Sequence, residues 1–277
     1  MEEEHFARLK LYYERHKRSY DIFLWGAKHF GYHPLNQKIS EKEAQLKMQD
    51  LIGERLSLKS SMKVLDAGCG QGVVATYLVK KIGCLIDGVT ILPFEVERAN
   101  NLADKLHVSN LGHFYLMDYS DMTFDDGTYD ALYTMESLVH STNVKKTLME
   151  FYRVLKKNCK VTLFEYSIAE DSDFSKKEME ILDRVINQAA MAGLKSIRHD
   201  RFHKLIESAG FTNVMTEDIT KNVEPSLARL RKYELIPYSV LKTFGLHKNY
   251  PNMTAAVEFY KMVKKGLIRY NIFAAEK

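Results

Sequence analysis

Little in this sequence could serve as covalent or metal scaffolding. Its three cysteines, Cys69, Cys84 and Cys159, fall at no ligand-type or disulfide-type spacing. No metal site and no disulfide framework are therefore expected, and the cysteines read as free thiols of a reducing compartment. Proline is scarce, at five residues, and no proline-rich linker divides the protein. With no repeat and no low-complexity tract, residues 1–277 read as a single domain. No apolar run approaches the ~18 residues of a membrane-spanning helix. The opening MEEEHFARLK is acidic and polar, unlike a signal or transit peptide. A cytoplasmic location is the expectation. Charge of one sign is lacking too: 40 basic residues face 36 acidic ones, scattered along the sequence, which argues against a nucleic-acid surface.

What the sequence does have is alternation. Val64-Leu65-Asp66 closes a first strand, and 73–82 has a helical pattern. Leu85 to Thr90 reads as a second strand, Phe94 to Leu106 as a helix and Phe114 to Met117 as a third strand. Tyr129 to Met135, a helix from Val144 to Leu155, and Val161 to Tyr166 continue the series. Repeated β-α units of this length predict a mostly parallel sheet with helices on both faces. Such sheets bind ligands beyond the carboxyl ends of their strands. Helical patterns interrupt the series at 170–200, where Ile181, Leu182, Val185, Ile186 and Ala189 share a side, and at 220–264. Between them lie a helix from Phe202 to Ala209, a stop at Gly210 and a strand around Val214; Ile268 to Ala274 is the last strand. The first 60 residues look helical and aromatic. These helical pieces either cap the active edge, the favoured reading, or only complete the core.

VLDAGCGQG, Val64 to Gly72, carries the strongest chemical signal. A strand ends at an acidic residue, Asp66, and enters a turn with Gly68, Gly70 and Gly72. Glycines let backbone approach a ligand closely, and the following helix offers its positive end to an anion. The G-x-G-x-G spacing differs from the dinucleotide pattern G-x-G-x-x-G and resembles motif I of class I S-adenosylmethionine-dependent methyltransferases. That resemblance implies a Rossmann-like fold with a seven-stranded sheet and a helical cap. It implies S-adenosyl-L-methionine as cofactor and S-adenosyl-L-homocysteine as product. On that frame, 1–60 is an N-terminal cap and 61–168 the cofactor-binding core. Residues 169–200 and 220–264 are cap insertions, and 201–219 and 265–277 complete the sheet.

Further matches follow in order. Thr90, with Ile91 beside it, stands where many of these enzymes place a ribose-binding carboxylate; its hydroxyl either contacts the ribose or is an ordinary strand residue. Asp118 and Tyr119 occupy the adenine positions, the favoured reading; the alternative for Asp118 is a turn or cap residue. Residues 124–137, FDDGTYDALYTMES, resemble the fourth-strand motif and bring Met135 to the cofactor.

Methyl transfer from a sulfonium depends largely on positioning and desolvation. An oxygen acceptor calls for a base, whereas a carbon acceptor becomes cationic and then loses a proton. Glu136, His140 and Glu165 at adjacent strand ends form a candidate acid-base cluster. Each also has a purely structural reading, as a backbone acceptor or a loop residue. Over nearly its whole length, the sequence is similar to the group holding sterol C-methyltransferases, γ-tocopherol methyltransferases and small-molecule O-methyltransferases. The matching segments are Tyr20 to Gly26, His29 to Tyr32, Glu136 to His140, Phe164-Glu165-Tyr166 and Val223-Glu224-Pro225. The resemblance implies an acceptor pocket with Tyr20, Trp25, His29, Tyr32 and Tyr166. It also implies a small, largely apolar acceptor, with C-methylation of an isoprenoid, sterol-like or quinol-type molecule ahead of O-methylation of a natural-product hydroxyl; a cofactor-binding module without transfer activity stands behind both. Where amino-methylating DNA enzymes carry a proline-proline-aromatic segment, this sequence reads MESL, so no nucleic-acid partner is expected. Residues 228–248 mix basic and apolar side chains, as either a membrane-surface contact or a solvated face with a buried stripe. The oligomeric state is open, a homodimer among the options.

Overall fold

The computed structural model describes residues 2–24 and 26–277; the side chains of Glu2, Arg18, Ser19, Tyr20 and Phe23 are outside that description. In chain order the elements are α1 (Glu2–Leu24), α2 (Glu41–Leu56), β1 (Lys63–Ala67), α3 (Val73–Ile82), β2 (Leu85–Thr90), α4 (Pro93–Lys105), β3 (Gly112–Leu116) and β4 (Tyr129–Met135). Then come α5 (Val144–Val154), β5 (Leu155–Ile168), α6 (Lys176–Gln188), α7 (Phe202–Ser208), β6 (Thr212–Asp218) and α8 (Thr220–Thr243). Last, α9 (Pro251–Thr254) runs through a π turn (Ala255–Phe259) into α10 (Tyr260–Lys264), and β7 (Ile268–Glu276) closes the sheet.

The seven strands form one sheet in the order β3-β2-β1-β4-β5-β7-β6. β7 alone runs antiparallel to its neighbours. The expected seven-stranded, mostly parallel sheet is therefore present. Successive strand residues face opposite sides, and the sequence fills both. Leu65, Leu163 and Phe273 enter one core cluster, while Val64, Phe164 and Ile272 enter the other. α5 shows why a helix covers such a face: Val144, Thr147, Leu148, Phe151 and Val154 recur at helical spacing and are buried. Asn143 caps its start by accepting from the Lys146 amide. α2 and α6 open with capping boxes, Ser40 with Glu43 and Ser175 with Glu178.

Two strand limits correct the sequence reading. β5 extends from Leu155 to Ile168, so Glu165 lies three positions inside the strand rather than at its end. β3 runs from Gly112 to Leu116 instead of the expected Phe114 to Met117, and Asp118 lies in the loop beyond it. Order reverses between β1 and β4, the central neighbours. Their carboxyl ends, Ala67 and Met135, open on the crevice where such sheets hold ligands.

Candidate active site

Two cavities occupy that crevice. The first is lined by Asp66, Gly68, Cys69 and Gly70 at and beyond the end of β1, by Thr90, Ile91 and Glu95 at and beyond the end of β2, and by Asp118, Tyr119, Met135, Glu136 and His140. The second is lined mostly by apolar groups from α1, α8 and the α9–α10 segment, with Phe30 and Tyr166. Four residues line both: Tyr13, Lys28, Glu136 and His140. α1 roofs both, with Phe6 and Leu9 over the first and Tyr12 over the second.

The glycines of the turn do different work. Gly68 has φ +95° and follows Ala67, whose carbonyl accepts from the Ser137 hydroxyl at 2.7 Å. A Cβ at Gly68 would fall 2.4 Å from the Ser137 side chain, so only glycine lets β1 and the β4 loop meet. Gly70 lines the first cavity. Gly72, expected to contact the cofactor, does not line it. At Gly72 a Cβ would meet Ala99 at 2.8 Å and Phe114 at 2.9 Å, so this glycine packs α3 against α4 and β3.

Asp66 is buried and accepts from the Tyr133 hydroxyl at 2.8 Å; burial pushes its carboxyl up to about 7. Thr90 lines the cavity, and its hydroxyl donates to Glu95 at 2.6 Å. A carboxylate is absent from the end of β2, but Glu95 in the first turn of α4 lines the same cavity. The sequence reading missed Glu95, although a carboxylate five residues past Thr90 was visible. Glu95 is ion-paired with Lys28, whose ammonium sits 4.2 Å from the centre of the Tyr13 ring. Asp118 makes a turn contact, one oxygen accepting from the Ser120 amide at 2.8 Å, and also lines the cavity. Tyr119 donates to the Ser137 carbonyl at 2.9 Å.

Glu136 follows β4 with φ +52°, an uncommon left-handed conformation for a residue other than glycine. Its carboxylate is held by three donors: the Phe30 amide at 2.9 Å, the Tyr270 hydroxyl at 2.9 Å and the Tyr166 hydroxyl at 3.2 Å. Burial outweighs them and lifts its pKa to about 7. His140 lies on the 3₁₀ turn Leu138–His140. Its Nδ1 contacts the Ala190 carbonyl at 2.9 Å, which assigns the proton to Nδ1 and leaves Nε2 to accept from the Tyr13 hydroxyl at 2.9 Å. Burial lowers its pKa to about 4, so the imidazole is neutral near pH 7.

Besides Gly72, three expected site residues stand elsewhere. Glu165 is fully buried and lines neither cavity. It accepts from the Leu138 amide at 2.5 Å, so it supports the turn that carries His140 instead of touching a reactant. His29 is buried behind the wall, its ring between the Phe30 carbonyl and the Gln49 amide, and burial lowers its pKa to about 4. Tyr32 packs against the core and lines neither cavity. Tyr166 does line the second cavity. The Tyr20 side chain and Trp25 lie outside the described residues.

The first cavity fits the expected cofactor: a carboxylate and glycine cradle at the end of β1, a carboxylate-hydroxyl pair at the end of β2, and an acidic-aromatic pair after β3. Residues 58–210 match the model of a methyltransferase domain. The protein is 30% identical over 270 residues to the S-adenosyl-L-methionine-dependent Diels-Alderase iccD of Talaromyces variabilis, covering 91% of its own length and 89% of that protein. It is 24% identical over 273 residues to the chloroplastic tocopherol O-methyltransferase of Arabidopsis thaliana, covering 92% and 77%. In fold it is similar to the cyclopropane synthase MmaA2 from Mycobacterium tuberculosis, with a TM-score of 0.82, 16% identity, and 99% and 98% of the two proteins covered. Seven-stranded topology, cradle and matched domain lead to one conclusion: this chain belongs to the S-adenosylmethionine-dependent methyltransferase family.

Proposed function

We propose that this protein methylates a small, largely apolar acceptor at carbon, with the acceptor in the second cavity and transfer at the junction of the two. The observation that carries this reading is the shared wall: Tyr13, Lys28, Glu136 and His140 face both spaces. When bound, S-adenosylmethionine supplies an electrophilic methyl group on a positively charged sulfur. Asp66, Gly68, Gly70, Thr90, Glu95, Ile91, Asp118, Tyr119 and Met135 would hold it.

The protein's own residues then divide the work. Leu24, Phe30, Leu194, Leu227, Leu230 and Phe259 exclude water from the acceptor. The rings of Tyr13, Phe30 and Tyr166 offer π faces to a developing cation. Glu136, ionised, stabilises that positive charge and takes the proton that carbon loses. His140 is the weaker proton acceptor at neutral pH, because a conjugate acid near pKa 4 has little proton affinity. A labelled-methyl transfer assay on organic extracts, resolved by polarity, tests the reading. Label in apolar products on carbon supports it. Label on oxygen alone would replace carbon by a hydroxyl acceptor, and label only in polar products would end the apolar-acceptor reading.

A second reading has one specific observation in its favour: the full-length similarity to a cofactor-dependent Diels-Alderase. On that reading the second cavity folds a polyene for ring closure, with the methyl group left on the cofactor. A product isomeric with its substrate and unlabelled, formed only with cofactor present, would favour it.

The electrostatics also predict a pH signature in cofactor binding. Asp66 and Glu136 both line the first cavity and both ionise near 7, while His140 is neutral throughout that range. Raising the pH from about 6 to about 8 adds negative charge there and should tighten S-adenosylmethionine binding by about tenfold. S-adenosylhomocysteine lacks the sulfonium charge and should respond less. Calorimetric titration of both ligands checks this; parallel pH curves would remove these carboxyls from cofactor recognition.

A further inference from the structure

The outer side of α8 and the turn after it is apolar and uncovered. Ile236, Val240 and Phe244 are 74%, 55% and 73% exposed, and Leu246 and Tyr250 are 48% and 47% exposed. Ile236, Val240 and Phe244 recur every four residues, which places them on one stripe of the helix. Isolated exposed apolar groups are ordinary, but a continuous row of this size marks a contact surface. The inner side of the same segment is the acceptor's wall: Leu227, Leu230 and Glu234 on α8, and Asn252 just past Tyr250, line the second cavity.

Charge identifies the occupant. Between 228 and 250 the basic residues are Arg229, Arg231, Lys232, Lys242 and Lys248, and the one acid is Glu234, which faces the cavity. Arg229 and Lys242 pair with Glu41 and Glu258. Arg231 lies over the Tyr260 ring at 5.3 Å. Lys232 and Lys248 are exposed and form no ion pair among the described residues. A second copy docked here by a two-fold axis would set lysines against the same surface and repel it. An apolar stripe with lysines beside it instead matches the boundary of a bilayer with anionic headgroups.

We propose that α8 and the 244–250 turn form a membrane-docking face, from which a lipophilic acceptor enters the second cavity. The entry step rests on the apolar-acceptor reading above; the docking itself does not. Flotation of the full-length protein with vesicles, in the absence of acceptor and cofactor, tests docking alone. The protein should co-float with phosphatidylcholine–phosphatidylglycerol vesicles, less with phosphatidylcholine alone and less at high salt. The paired changes Ile236→Asp and Phe244→Asp should lower the bound fraction by about tenfold or more. Because both side chains are largely exposed, melting should shift little. Lys232→Glu with Lys248→Glu, which leaves the apolar stripe intact, should abolish the preference for anionic vesicles. Wild-type protein that stays unbound at low salt would overturn the proposal. So would a wild-type dimer that the aspartate pair dissociates without vesicles present, since the face would then be a self-contact. A transfer assay with detergent-dispersed acceptor separates this failure from failure of the apolar-acceptor reading.

Discussion

Glu136→Gln should lower turnover by about 10²–10⁴-fold, the range for loss of a positioned proton-transfer group, while weakening cofactor binding by no more than about tenfold. The substitution keeps the side chain's size but removes its ability to ionise. Glu136 faces both cavities, and its carboxylate is fixed by Phe30, Tyr166 and Tyr270. Its left-handed backbone is strain of the kind retained where a side chain must be aimed. The pH profile separates roles. Wild-type turnover should rise through about 7 as Glu136 ionises and then level off. The glutamine variant should be flat across the same range. His140→Ala should cost less, because its imidazole is a poor base at neutral pH. Losses in turnover and cofactor affinity of equal size would reassign Glu136 to holding the Phe30 segment in place.

The residues legible in the sequence are those whose role is set by their neighbours along it. Asp66, Gly68 and Gly70 belong to one strand and one turn, and the strand-turn-helix pattern places them together. Glu136 and His140 follow β4 at once, and both line the cavities. What escaped the sequence depends on pairing at long range. Tyr270 reaches Glu136 because β7 lies antiparallel to β5 with Tyr166 opposite Tyr270, a contact across 134 positions. Lys28 and Glu95 meet across 67 positions, and nothing local in either segment marks the pair. Gly72 shows a different limit. Spacing reveals that the backbone needs glycine, but not whether the missing Cβ would meet a ligand or, as here, Ala99 and Phe114. His29 and Tyr32 belong to an aromatic segment, Tyr20 to Tyr32, of which Leu24, Lys28 and Phe30 line the second cavity among the described side chains.

Glu165 carries the other large expected effect, through position alone. Glu165 is fully buried, three positions inside β5. No cation pairs with it among the described residues, and burial pushes its carboxyl well above the usual range, with the nearby Glu136 charge adding to the rise. The group therefore favours its neutral form, accepting from Leu138 while the amides of Ser137 and Val139 face it. Glu165→Leu leaves at least the Leu138 amide without a partner in a dry interior. A cost of about 1–3 kcal/mol in stability is expected for each such group. The freed turn also carries His140, so turnover should fall by about tenfold or more even under conditions where the variant is fully folded. Glu165→Gln reproduces the neutral acid's shape and its acceptor, and should recover both stability and turnover. That rescue distinguishes a positioning carboxyl from a proton carrier, since glutamine can hold the turn but cannot ionise. If glutamine were as inactive as leucine while melting like the wild type, Glu165 would have to exchange a proton with the junction, and the assignment of base to Glu136 alone would fall with it.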